Sequence, residues 1–404
     1  MRVLLSTIGS RGDVQPMVAL ASQLKALGQD VHLCVPPDFK EWIEGLAMTV
    51  TPIGPALRAT GKSNPMATRI TAEQRRQMIE GTVAAQFETI GAAARGCDVI
   101  VGGTALQIAA PSIAEHLGIP YVFAALCPNV LPSPRHAPPV LAALGDVPAP
   151  AAEEYRELWE KDARRWNDIW ASTLAPHRAS LGLPAVDCVR DYILTDRPWL
   201  AADRTLGPWP DPGRDTVFQT GAWILADDRP LSAELEQFLA AGEPPVYFGF
   251  GSISAPQPDL SQVMIHSARA LGRRAIVSRG WADLSLIDDA PDCLVIGEVN
   301  QQALFTRVSA VVHHGGAGTT TAAARAGAPQ VVVAQHYDQH YWAGRVHQLG
   351  IGTAHEGRSP TTESLTRTLE RTLGADVAAR ARAIAAEVET DGARVAAQAI
   401  GALR

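Results

Sequence analysis

The chain has 404 residues, 47% of them apolar and 19% charged, a balance that fits a globular protein and excludes a disordered or fibrous one. Such a length exceeds one ordinary core and predicts two domains of roughly 200 residues each. A formal charge of −7 with scattered Lys and Arg argues against nucleic acid as a partner. Cys34, Cys97, Cys127, Cys188 and Cys293 lie far apart with no CxxC pair, which predicts reduced, packed thiols and neither a disulfide framework nor a zinc site. The N-terminal apolar run turns polar at Ser6, and no apolar run nears the ~18 residues of a membrane span. The expectation is a cytoplasmic protein with no integral membrane association.

In chain order, short β-rich apolar runs come first, at 3–6, 31–35, 50–53, 99–101 and 121–124, with helical patterns between them. The loop after the first run, Gly9-Ser10-Arg11-Gly12-Asp13-Val14-Gln15-Pro16, leads into the helical pattern 18–27. It is not a dinucleotide fingerprint, because GxGxxG needs glycine where Arg11 stands. Asp13 falls near the helix start, where the dipole favours a negative charge, and at the mouth of any cleft beyond the strand. A Pro-rich loop at 128–139 contains His136, which either faces solvent or touches a ligand. The helical region 153–181 carries Trp159, Trp166 and Trp170 on one face, either a packing stripe or an aromatic wall for a flat ligand.

Gly207-Pro208-Trp209-Pro210-Asp211-Pro212-Gly213 is the densest breaker cluster and reads as a linker. Beyond it the pattern restarts, with strands expected at 246–250, 275–278, 293–296, 310–313, 330–333 and 351–354. Strands alternating with helices predict α/β architecture: two tandem Rossmann-like, doubly wound parallel sheets facing a cleft. The expected division is an N-terminal domain at 1–206, a linker at 207–222 and a C-terminal domain at 223–375. The Ala-rich 376–403 segment predicts a helix packing back toward the first domain.

The strongest local signal is Val311-Val312-His313-His314-Gly315-Gly316-Ala317-Gly318-Thr319-Thr320, a strand running through a glycine-rich turn into a helix. Glycines let backbone N–H groups crowd an anion, the helix N-terminus adds partial positive charge, and His and Thr add donors; the pattern predicts a pyrophosphate cradle. A second turn, Phe248-Gly249-Phe250-Gly251-Ser252, offers Ser252 to the same phosphates.

Together these motifs resemble the GT-B glycosyltransferases, in the branch of bacterial glycopeptide-antibiotic and sterol glycosyltransferases. The opening TIGSRGDVQP, the FGS turn, HHGGAGTT, RAGAPQ, the Asp338-Gln339 pair and AGRVHQLGIG all fall in family order, over nearly the whole chain. The resemblance implies that His313, Gly315, Gly316, Gly318 and Thr319 hold a donor diphosphate, helped by Ser252, with Ser10 and Arg11 as further phosphate candidates. It implies that Asp338 and Gln339 bind the donor sugar. The 298–301 segment would contact the base through its backbone at Val299, with Asn300 in place of the glutamine of plant relatives and Ser278, Arg279 and Trp281 as lesser candidates. Asp13 occupies the place of the catalytic histidine of macrolide and plant relatives. The stretch 102–107 has no carboxylate to orient a histidine, so a direct carboxylate base fits better than a His–Asp dyad.

The implied activity is metal-independent, inverting transfer of a hexose from a UDP- or TDP-sugar to a lipophilic aglycone (glycopeptide, sterol or polyketide-like), with no cofactor. His136, Trp166 and Trp170 are the acceptor candidates, and a monomer or weak dimer is expected. Two alternatives share the fold or the ligand: a nucleotide-sugar 2-epimerase, which needs further carboxylates around the sugar and no acceptor pocket, and a non-catalytic nucleotide-sugar-binding partner protein, expected to have lost the base or the cradle.

Overall fold

The computed structural model describes residues 1–58, 71–104, 106–139, 155–211, 216–252 and 257–403. Ala105, Pro212, Gly213 and the start of the tryptophan-bearing region at 153–154 lie outside the described residues.

The first half builds β1 (Arg2–Thr7), β2 (Asp30–Val35), β3 (Thr49–Pro52), β4 (Val99–Gly103) and β5 (Tyr121–Ala125). Two further strands, β6 (Trp199–Leu200) and β7 (Phe218–Gln219), complete a parallel sheet of order β3-β2-β1-β4-β5-β6-β7. The second sheet has order β10-β9-β8-β11-β12-β13, from β8 (Val246–Gly249), β9 (Ala275–Ser278), β10 (Cys293–Ile296), β11 (Ala310–His313), β12 (Gln330–Val332) and β13 (Gly352–Ala354). Strands such as β1 read as unbroken apolar runs because helices cover both faces of a parallel sheet; Val3, Leu4 and Leu5 are fully buried. In each sheet the strand order reverses beside the first strand, between β1 and β4 and between β8 and β11, and loops leaving such a reversal open a ligand crevice.

Two expectations are corrected. Residues 207–222 do not form a plain linker: β7 lies within them and pairs with β6, so the first sheet has seven strands where the apolar runs showed five. Two-residue strands are too short to carry an alternation signal. The C-terminal segment is two helices, Ala375–Ala385 and Gly392–Gly401. Ala381 and Ile384 of the first share a core with Trp342 and Val332. Ala393, Ala396, Ala397 and Ile400 of the second join the core under the helix Arg11–Ala26. The break sits where the chain passes residue 221: a Cβ on Gly392 would stand 2.3 Å from the Gly221 carbonyl carbon. No helix among the described residues is long and apolar enough to cross a membrane.

Candidate active site

Asp13 lies in the first turn of the helix Arg11–Ala26 and completes a capping box: Ser10 N–H donates to its Oδ2 at 2.7 Å and the Ser10 hydroxyl to the same oxygen at 3.3 Å. Oδ1 takes no part in that pair. Burial pushes the carboxyl up to about 6, against the pull of the Ser10 donors. The same contacts commit Ser10 to the cap. Arg11 is also occupied, which departs from the phosphate role expected for it: its guanidinium lies 3.5 Å above the Trp42 ring, and Nη2 reaches Glu298 of the second domain at 2.9 Å.

The glycine turn connects β11 to the helix Ala317–Arg325. Gly316 is the N-cap and supplies no side-chain cap, which leaves the first N–H groups of the helix open to an anion. The Thr320 and Thr321 hydroxyls donate back to the carbonyls of Gly316 and Ala317 at 2.9 and 2.8 Å, whereas half-buried Thr319 makes no such bond. Gly315 turns with φ +92°, and a Cβ there would meet Val332 Cγ1 at 2.7 Å. His313 does not present a donor as expected. Its ring is fully buried, Nδ1 accepts from Gly315 N–H at 3.1 Å, and Nε2 lies 2.9 Å from Gln330 Oε1, so Nε2 carries the proton. Burial holds it down to about 4, a neutral ring that braces the turn from beneath. His314, which the motif reading passed over, reaches the Ser252 turn: its ring lies 3.1 Å from where a Gly251 Cβ would stand.

Asp338 and Gln339 open the helix Gln339–Gln348 after β12. Gln339 Oε1 accepts from the N–H groups of Gln335 and His336 at 2.8 and 3.2 Å, which leaves its amide NH2 to donate elsewhere. Asp338 is half-buried, and its carboxyl is pushed up to about 7, first by burial and then by the charge of Asp13. The two carboxylates come from different sheets and feel each other across the cleft. Tyr337, between β12 and this pair, adopts φ +58°, a left-handed conformation that costs a bulky side chain on the order of 1–3 kcal/mol.

The base-contact candidates are less open than expected. Trp281 stacks on Phe39 of the first domain at 6.3 Å and packs against that domain's core. Ser278 bonds the Tyr247 phenol, and Arg279 is exposed. Val299 packs into a core cluster behind β8. Asn300 caps the helix Gln301–Leu304 by accepting from Ala303 N–H at 3.0 Å, and it donates to the Asp227 and Arg229 carbonyls.

His136 is not a solvated loop residue. Burial holds it down to about 4, with its ring edge-on to Trp159 and Trp209 at 5.9 and 6.1 Å. Trp159 Nε1 donates to the His136 carbonyl at 2.9 Å. Trp159 and Trp166 line a pocket with Val130, Pro139, Leu194 and Tyr337, over a buried Asp162–Arg190 pair at 3.5 Å. Trp170 lies behind that wall, 6.4 Å from Trp166. The stripe therefore divides: buried Trp159 and half-buried Trp166 line the pocket, and Trp170 packs behind them.

Residues 3–133 match the glycosyltransferase family 28 N-terminal domain, and residues 263–397 match the erythromycin biosynthesis protein CIII-like, C-terminal domain. The chain is 50% identical to "Glycosyltransferase GtfE" of Amycolatopsis orientalis, over 98% of this chain and 96% of that protein. It is 48% identical to "Vancomycin aglycone glucosyltransferase" of the same organism, over the same shares. The crystal structure of the glycotransferase of kitacinnamycin superposes with a TM-score of 0.73 at 20% identity, covering 100% of this chain and 98% of that one, which is a likeness of fold. With identity of 50% and 48% over 98% of its length, the chain belongs to the GT-B family that holds the glycopeptide-antibiotic glycosyltransferases, and it is a glycosyltransferase.

Proposed function

We propose that the enzyme transfers a hexose, glucose-like or deoxygenated, from a UDP- or TDP-sugar to a hydroxyl of a lipophilic natural-product aglycone, without a metal and with inversion at the anomeric carbon. The observation that carries this reading is the meeting of Asp13 and Asp338 from opposite domains beside an uncapped helix N-terminus. The diphosphate lies on the backbone of Gly315, Gly316 and Gly318 with Thr319 and Ser252 alongside. His313 acts through the turn it braces. The sugar points at Asp338 and the Gln339 amide, and the aglycone enters past Trp166 and Tyr337.

Asp13 takes the proton of the acceptor hydroxyl while that oxygen attacks the anomeric carbon from the face opposite the diphosphate. The bond from carbon to the diphosphate oxygen breaks, its electron pair leaves with the nucleoside diphosphate, and the configuration inverts. Charge developing on the leaving group meets N–H groups and a helix dipole already aimed at it. A carboxyl raised to about 6 is a stronger base than an exposed one and is still ionised at neutral pH.

Replacing Asp13 with Ala is expected to lower kcat by roughly 100-fold or more while leaving nucleotide-sugar affinity unchanged. Turnover equal to that of the parent enzyme sinks the base assignment. Calorimetric titration with UDP, UDP-glucose, TDP and TDP-glucose in EDTA identifies the donor base; absence of binding by all four counts against the cradle.

A further inference from the structure

Asp338 precedes the helix Gln339–Gln348 without capping it, and its carboxylate is oriented from one turn further on: Trp342 Nε1 donates to Oδ2 at 3.1 Å. The indole has no freedom to drift. Its side chain is 1% exposed, and its far edge rests on residue 207, where a Cβ would come within 2.9 Å of Cη2. From the same helix, Arg345 donates Nε to the Leu206 carbonyl at 2.8 Å and Nη2 to the Thr205 carbonyl at 3.0 Å.

The turn that receives these contacts is itself held. Buried Asp203, three residues beyond β6, accepts from the N–H groups of Thr205 and Leu206 on Oδ1 and from Glu389 N–H on Oδ2, at 2.9, 2.8 and 2.8 Å. Trp342 and Arg345 thus dock the helix that begins after Asp338 onto the last turn of the first domain. An indole has one donor, and here it goes to Asp338.

We propose that Trp342 is a positioning residue for the transfer: it aims the Asp338 carboxylate at the donor sugar and, through the 203–207 turn, keeps that carboxylate in register with Asp13. The proposal rests on the reading of Asp338 as a sugar ligand and adds the residue that fixes it. A carboxylate turns about two side-chain torsions, and a hydrogen bond from a rigid, buried donor removes most of that freedom while leaving Oδ1 for a sugar hydroxyl.

The test compares Trp342→Phe, which deletes the N–H and keeps an aromatic ring, with Gly207→Ala, which pushes the ring without altering any cleft residue, and with Asp338→Asn. Trp342→Phe is expected to lower kcat/KM for the nucleotide sugar about tenfold, the size of one hydrogen bond to a charged group. The Kd for the sugar-free nucleoside diphosphate stays within about twofold, since that ligand does not reach Asp338. The part of the acid limb that Asp338 sets, near 7, moves upward because its carboxylate has lost a donor, while the part that Asp13 sets near 6 stays in place. The other ionisable neighbours of Asp338, Asp13 across the cleft, the Tyr337 phenol and the Cys127 thiol, are unchanged in this variant.

Gly207→Ala is expected to move kcat/KM in the same direction. Parental kcat/KM and pH profile in a folded Trp342→Phe overturn the proposal, as does an equal loss of diphosphate affinity, which marks a merely structural role. Full activity in Asp338→Asn overturns the sugar-ligand reading and this proposal with it. Impaired Asp338→Asn beside unimpaired Trp342→Phe overturns the positioning role alone.

Discussion

Asp13 and Asp338 both bind protons more tightly when folded than a free carboxyl at 3.8 does, Asp13 holding its proton up to about 6 and Asp338 up to about 7. A raised folded-state value means that the stability each contributes is fully present below about pH 3.8 and is lost as pH rises through those two values. Stability of the ligand-free enzyme is therefore expected to fall between about pH 4 and pH 7, and Asp13→Asn flattens the fall, as urea titrations across that range would show. Activity runs the other way. The kcat/KM profile is expected to rise with pH on an acid limb with one step near 6, set by ionisation of Asp13, and a second near 7, set by Asp338, and an activity with no limb between about pH 5 and pH 7 contradicts a carboxylate base. The place of this residue at a helix start was legible in the sequence, its role as a base came only from the family resemblance, and its partner was not legible at all. Asp338 lies in another domain, and only folding brings the two charges together.

At the scale of the element, the glycine turn shows how much a motif hides. Gly315 and Gly318 are equivalent letters in the sequence, yet their surroundings differ. Gly315 sits at φ +92° against Val332, whereas nothing lies within 4 Å of a Cβ on exposed Gly318. Gly315→Ala is expected to distort the turn and weaken nucleoside diphosphate binding about tenfold or more, since a left-handed Ala costs about 1–2 kcal/mol before the clash with Val332 is counted. Gly318→Ala replaces a poor helix former with the best one and is expected to leave affinity within about twofold. Calorimetry on the two variants separates them, and equal losses remove the distinction. His313 carries the same lesson. As a letter it was a donor to phosphate; in the fold both ring nitrogens serve the turn and Gln330.

Across the whole molecule the two domains are joined by more than the crossing at 207–222. The Arg11–Glu298 pair, the Phe39–Trp281 stack and the Trp342 seat all bridge the halves. The last helix closes the first domain's core. Ala397 is fully buried there, so Ala397→Asp places an unpaired charge among apolar side chains and is expected to cost about 3 kcal/mol or more of stability, measured by urea unfolding. An exposed-site cost of under about 0.5 kcal/mol shows that the helix does not close that core.

What the sequence determined by itself was the material of the fold. Eleven runs became strands β1 to β5 and β8 to β13, and inner ones such as β1 and β8 are buried and mostly apolar because both faces are covered, whereas the edge strand β3 is half-exposed and carries two threonines. The glycine turn was readable because anion binding at a helix start needs glycine and open N–H groups at fixed spacing, whereas the Asp338-Gln339 pair was readable only through the family resemblance. Tertiary structure alone decided the rest: the pairing of two-residue strands β6 and β7, the division of the C-terminal segment, the occupation of Arg11 and Trp281 by partners from the opposite domain, and the donation of Trp342 to Asp338. All of these except the bond within the helix depend on residues far apart in sequence. Even that one, at i and i+4, takes its rigidity from a turn more than a hundred positions away, and local propensity and periodicity carry no record of such a neighbour.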